Sequence, residues 1–171
     1  MFVSAVDEEA AELYVRAGFN RCVGPWLWAG SGARAGVASG GMTSLGDVER
    51  LVSGLPETEE ATRHGMRTWK VGGKAYAWER PFSKADVKRF GDETPPDGPI
   101  LALVVEDLAE KEAVLAARAG DGFFTIPHFN GYAAVLVQLD RVSEAVLEEA
   151  LLDAWLVHAP AEVAKAHLDG R

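Results

Sequence analysis

Eight basic side chains, Arg63, Arg67, Lys70, Lys74, Arg80, Lys84, Lys88 and Arg89, fall in one stretch that holds only two carboxylates, Glu79 and Asp86. Trp69, Tyr76 and Trp78 lie among them. Cations neutralise phosphates and aromatic rings stack on bases, so this mixture points first to nucleic acid. The stretch carries +6, and the rest of a chain of net charge −9 therefore carries −15. The overall charge argues against a phosphate-backbone partner, while the local charge argues for one. The competing use of the same residues is a solvated face with local ion pairs.

Other chemistry finds less support. The histidines, His64, His128, His158 and His167, show neither HxxxH nor HExxH spacing, and the single cysteine, Cys22, provides neither a disulfide nor a thiolate pair for metal. No GxSxG elbow is present for a serine nucleophile. His128 falls in a turn with Asn130 close by. These two residues are candidates for a ligand contact or a proton transfer; the alternative is a turn histidine whose ring bonds a backbone carbonyl. Residues 30–41 match a loose GxGxxxG, but no clear strand–turn–helix unit surrounds them, and their composition is that of a linker. The expectation is no catalytic set, no metal and no cofactor.

The elements that must position these residues begin after that linker. Residues 7–16 read as a short helix, so residues 1–41 form an extension and the domain spans 42–171. Ser44 and Asp47 have the spacing of a capping box, and Val48, Leu51, Val52 and Leu55 form the apolar stripe of a helix that Pro56 ends. Residues 57–60 read as a polar turn. Residues 66–71 and 74–79 flank Gly72-Gly73, a two-residue hairpin signal. That turn predicts Val71 opposite Lys74, Trp69 opposite Tyr76 and Arg67 opposite Trp78. Trp69, Val71, Tyr76 and Trp78 then share one face, as core or as a stacking platform.

Residues 84–90 read as a turn or short helix, and 91–99 as a surface loop. The run 100–105 is continuously apolar and suits a strand buried on both sides. Asp107 opens a helix with Leu108, Ala113, Val114, Leu115 and Ala116 available for its buried side. Residues 123–126 and 132–139 read as strands, 143–158 as a final helix, and Pro160 opens a last helical turn. With the segment after Pro81 left aside, the order is α-β-β-β-α-β-β-α. This implies an α+β domain, a mostly antiparallel sheet with helices packed on one face.

Residues 42–167 resemble the MmcQ/YjbR family, small α+β proteins described as DNA-binding. The resemblance rests on Leu55-Pro56-Glu57-Thr58-Glu59-Glu60, on Gly65 before Thr68-Trp69-Lys70-Val71-Gly72-Gly73-Lys74, and on Phe123-Phe124. It continues in Pro127-His128-Phe129-Asn130-Gly131-Tyr132 and Leu152-Asp153-Ala154-Trp155. It implies a secretion-chaperone-like fold and, through likeness to a DNA-binding wing domain, a DNA-binding role. Residues 7–19 resemble the closing segment of the Gcn5-related acetyltransferases without the cofactor loop that precedes it in that family.

The leading expectation is a weak, largely sequence-independent module for double-stranded DNA. In it the hairpin wing with Lys70 and Lys74 meets phosphates, flanked by Arg63, Arg67, Lys84, Lys88 and Arg89. The alternative is a protein- or small-ligand-binding module using the uncovered sheet face. An enzyme ranks third, since it needs a pocket near His128. No run reaches the ~18 apolar residues of a membrane span, and the first residues lack a basic signal-peptide region, so a cytoplasmic protein without a membrane partner is expected.

Overall fold

The computed structural model describes residues 42–170; the extension read over 1–41, including the acetyltransferase-like stretch 7–19, lies outside the described residues. Helix α1 (Leu45–Val52) opens with the expected box: the Asp47 amide donates to the Ser44 hydroxyl, and the Ser44 amide donates to the Asp47 carboxylate at 2.9 Å. Such reciprocal capping satisfies two otherwise orphaned amides and contributes about 1 kcal/mol. Val48 and Val52 face the core.

Six strands follow: β1 (Glu59–Arg63), β2 (Met66–Val71), β3 (Lys74–Glu79), β4 (Ile100–Val104), β5 (Phe123–Phe124) and β6 (Ala134–Gln138). They form one sheet in the order β1-β2-β3-β4-β6-β5 with every pair antiparallel. Among them run α2 (Lys84–Arg89) and α3 (Leu108–Ala117), and α4 (Glu144–Leu156) and α5 (Ala161–Asp169) close the chain. The domain is of the α+β class.

Strand β4, and strand β6 as far as Val137, are apolar because both of their sides are covered. Leu101, Leu103, Val135 and Val137 face the main core, which also takes in Val48 and Val52 of α1 and Leu147, Leu151 and Trp155 of α4. The Trp155 indole donates to the Pro56 carbonyl at 3.1 Å, tying α4 to the end of α1. Ile100, Ala102, Ala134 and Leu136 face the other way, into a smaller core with Ile126 and Phe129. Trp78, Phe82, Phe90 and Phe124 cover that second core. The long helices thus lie on one side, and an aromatic layer carrying α2 lies on the other.

Two local expectations change. Residues 59–63 are a strand, so the polar turn expected over 57–60 ends where β1 begins. Glu59-Glu60-Ala61-Thr62-Arg63 has no apolar alternation; it is extended because it pairs with β2 at the sheet edge. The hairpin register also slips. Val71 does face Lys74, but Lys70 faces Ala75, Trp69 faces Ala77 and Thr68 faces Trp78, leaving Tyr76 as an extra residue in β3. One inserted residue reverses the faces of everything beyond it. Trp69, Val71, Tyr76 and Ala77 are therefore in the main core, and Trp78 is on the opposite face.

Candidate functional site

The pleat sorts the basic side chains. Thr68 pairs with Trp78 and Trp78 with Ala102, so Thr68 stands on the second face of the sheet. Alternation along β2 places Lys70 there as well, and pairing of Ala61 with Thr68 places Ala61 and Arg63 of β1 on the same face. Arg80 joins them, its guanidinium 5.6 Å from the centre of the Phe129 ring. Helix α2 lies on this side through Phe82 and Phe90, bringing Lys84, Lys88 and Arg89. Six of the eight cations therefore share one side of the sheet.

The other two do not. Arg67 faces the long helices, where it pairs with Glu49 of α1 and donates to Glu79 at 2.7 Å. Lys74 stands at the hairpin tip, and that tip is docked rather than projecting: a methyl group on Gly72 would lie 3.2 Å from the His158 carbonyl. Burial, then the Lys74 charge, hold the His158 imidazole below its usual pKa. The expected wing, with Lys70 and Lys74 reaching out together and Arg67 beside them, is divided between two faces and a buttressed tip.

Within the shared face the charges differ in freedom. Asp86 is 2% exposed and accepts from Arg80 at 2.9 Å and from the Ser83 hydroxyl at 2.7 Å, with Arg89 at 3.5 Å. Burial pushes its carboxyl up, but the Ser83 hydrogen bonds and then Arg80 outweigh burial and hold it at about 2. Arg80 and Arg89 are thus partly neutralised. Arg63, Lys70, Lys84 and Lys88 make no ion pair with a described residue. In α2, Lys84, Val87 and Lys88 have the spacing of one helix side and all three are exposed.

Beside these cations lies an aromatic group. Trp78 stacks on Phe129 with ring centres 6.4 Å apart, and Tyr132 meets Trp78 at 6.3 Å and Phe129 at 5.8 Å, edge to face in both cases. The loop bearing Phe129 and Tyr132 is held by a residue that sequence reasoning missed. Lys111 of α3 is 3% exposed, and its ammonium donates to the Phe129 carbonyl at 2.6 Å and the Tyr132 carbonyl at 3.1 Å. Burial lowers its pKa. In the sequence it sits between Glu110 and Glu112 and reads as an ordinary solvated lysine.

His128 and Asn130 are both exposed on that loop, His128 with its ring 5.9 Å from Phe129. The carbonyl anchoring foreseen for His128 is done by Lys111. A hollow of about 200 Å³ lies between α1 and α4, lined by Arg50, Leu51, Leu55 and Leu151 among others, and one of about 30 Å³ is lined by Asp86, Arg89, Phe90, Ile126 and Pro127. Neither hollow is lined by His128 or Asn130. Among the described residues no group of three or more His, Cys, Asp and Glu converges on a metal position, and no helix is long and apolar enough to cross a membrane.

Comparison with known proteins gives the same family that the motifs suggest. The YjbR family model matches residues 53–157. The uncharacterised proteins Mb2600 of Mycobacterium bovis and Rv2570 of Mycobacterium tuberculosis are each 44% identical over 130 residues, covering 74% of this chain and 97% of the relative. No solved structure gives a significant match. The chain belongs to the YjbR family.

Proposed function

We propose that this protein is a nucleic-acid-binding module rather than an enzyme, weak and largely indifferent to sequence. It meets the phosphates with the second face of its sheet and with α2. The observation that carries this reading is the gathering of six of eight cations on one side of the sheet, four of them without an ion pair to a described residue. The acidic remainder of the chain orients that side toward a polyanion and repels it elsewhere. A protein partner adding a strand at β1 is less well supported, because Glu59, Glu60 and Arg63 place at that edge the charges that discourage strand addition.

Binding of a labelled duplex, followed by anisotropy across a salt series, tests the reading. Neutralisation of about four phosphates gives a slope of log K against log salt near −3.6. Lys84→Glu with Lys88→Glu lowers both affinity and slope, while Lys74→Glu at the docked tip leaves them close to wild type. Absence of binding by the duplex and by a single strand of equal length at about 50 mM salt, or sensitivity to Lys74 and not to Lys84 and Lys88, overturns the proposal.

A further inference from the structure

Resting on that reading, we infer that the preferred ligand is a single strand, whose unpaired bases stack on Tyr132. Tyr132 is 54% exposed, whereas the other large aromatic side chains among the described residues are buried more deeply. Its hydroxyl has no hydrogen-bond partner among the described residues, so the ring is not displayed for a polar contact within the fold. The ring is nevertheless fixed. Its edge-to-face contacts with Trp78 and Phe129 set its tilt. Its backbone is bound at both ends, the amide donating to the Phe129 carbonyl at 3.0 Å and the carbonyl accepting from Lys111. A fixed, open aromatic ring loses little conformational entropy when a base settles on it.

Charge complementarity selects the occupant. Arg63 and Lys70 lie on the same face of the sheet, with Lys84 and Lys88 on α2, and these are positions for a sugar–phosphate chain. A duplex uses only half of this surface. It offers phosphates to the cations, but its bases are stacked on each other and turn no face to Tyr132. Nor do the described residues place on this face an element suited to a groove, since α2 has six residues and lies against the sheet through Phe82 and Phe90. A single strand satisfies both halves, with backbone on the cations and a base on the ring.

The test compares three labelled probes of equal length: oligo(dT), a duplex, and an abasic oligomer that keeps the phosphates and lacks the bases. Oligo(dT) binds more tightly than the other two. Tyr132→Ala weakens oligo(dT) binding about five- to tenfold, the low end of what one base–aromatic stack provides, and leaves the duplex and abasic probes unchanged. Tyr132→Phe retains the preference, which separates stacking from any role of the hydroxyl, and melting curves check that both variants are folded. Duplex binding equal to or tighter than oligo(dT), or Tyr132→Ala acting equally on all three probes, overturns the inference while leaving the electrostatic proposal standing. Failure of all three probes to bind removes the electrostatic proposal and this inference with it.

Discussion

Lys111 donates from a buried ammonium to the carbonyl of Phe129 at 2.6 Å, fastening α3 to the loop that carries the exposed ring of Tyr132. No carboxylate of a described residue pairs with it directly; its partners are carbonyl oxygens, with the Tyr132 carbonyl second at 3.1 Å. Burying a charge on carbonyls alone is costly, and it persists where the groups it satisfies are themselves buried and polar.

Lys111→Met therefore lowers stability by about 1–3 kcal/mol, the cost of leaving buried acceptors unpaired less the relief of a desolvated charge. Denaturant unfolding measures this. The sign with pH is distinctive. Burial depresses the folded-state pKa below 10.5, so the folded chain binds fewer protons than the unfolded chain between the two values. Stability then gains as pH rises through that window, and Lys111→Met lacks the gain.

Asp86 gives the opposite limb. Its carboxyl is held at about 2 against an ordinary 3.8. Its contribution, about 2 kcal/mol for this difference, is complete above pH 3.8 and is lost as pH falls toward 2. Asp86→Asn is less stable than wild type at neutral pH by about that amount, and the two curves converge in acid. Equal stability at pH 7 contradicts the assigned role of Asp86 in capping α2 and holding Arg80.

The docked hairpin tip is tested by two neighbouring glycines. Gly72 and Gly73 both have positive φ, 56° and 75°, so alanine is strained at either. Only at Gly72 does the added methyl meet the His158 carbonyl, at 3.2 Å; at Gly73 it enters open space. Gly72→Ala is expected to cost about 1 kcal/mol more than Gly73→Ala. Equal melting temperatures indicate a tip that stands free, as a wing does.

These residues also show what could be read in advance. The turn at Gly72-Gly73 and the boxes at Ser44 and Asp47 are local chemistry, and the sequence displays them directly. The doubly covered strands β4 and β6 are legible because burial on both sides leaves an unbroken apolar run. The bulge at Tyr76 has no such signature: Lys-Ala-Tyr-Ala-Trp-Glu alternates well enough for a regular strand, and only pairing reveals that Trp78 has changed face. Strand β1 was hidden because edge pairing, not composition, extends it. The basic stretch was visible as a charge excess, but its division between two faces depends on that bulge and on Glu49 and Glu79 claiming Arg67. Lys111 was invisible because nothing local distinguishes a buried lysine from a solvated one.

The division of the chain at Met42 becomes a proposal about stability. Thr43 is buried and its hydroxyl donates to the Leu139 carbonyl at 2.7 Å, and Ser44 caps α1. The folded unit therefore needs residues from about position 43 onward. A chain shortened to begin at Met42 is expected to melt at the same temperature as the full chain. A clear fall contradicts the division.

Amide chemical-shift mapping during an oligo(dT) titration tests the central claim most directly. The perturbed amides are expected along the second face: Arg63 in β1, Thr68 and Lys70 in β2, residues 84–89 of α2, and the loop from Phe129 to Tyr132. Those of Gly72, Gly73 and Lys74 remain near their free positions. Perturbations centred on the hairpin tip, with α2 and the Tyr132 loop unmoved, contradict the account.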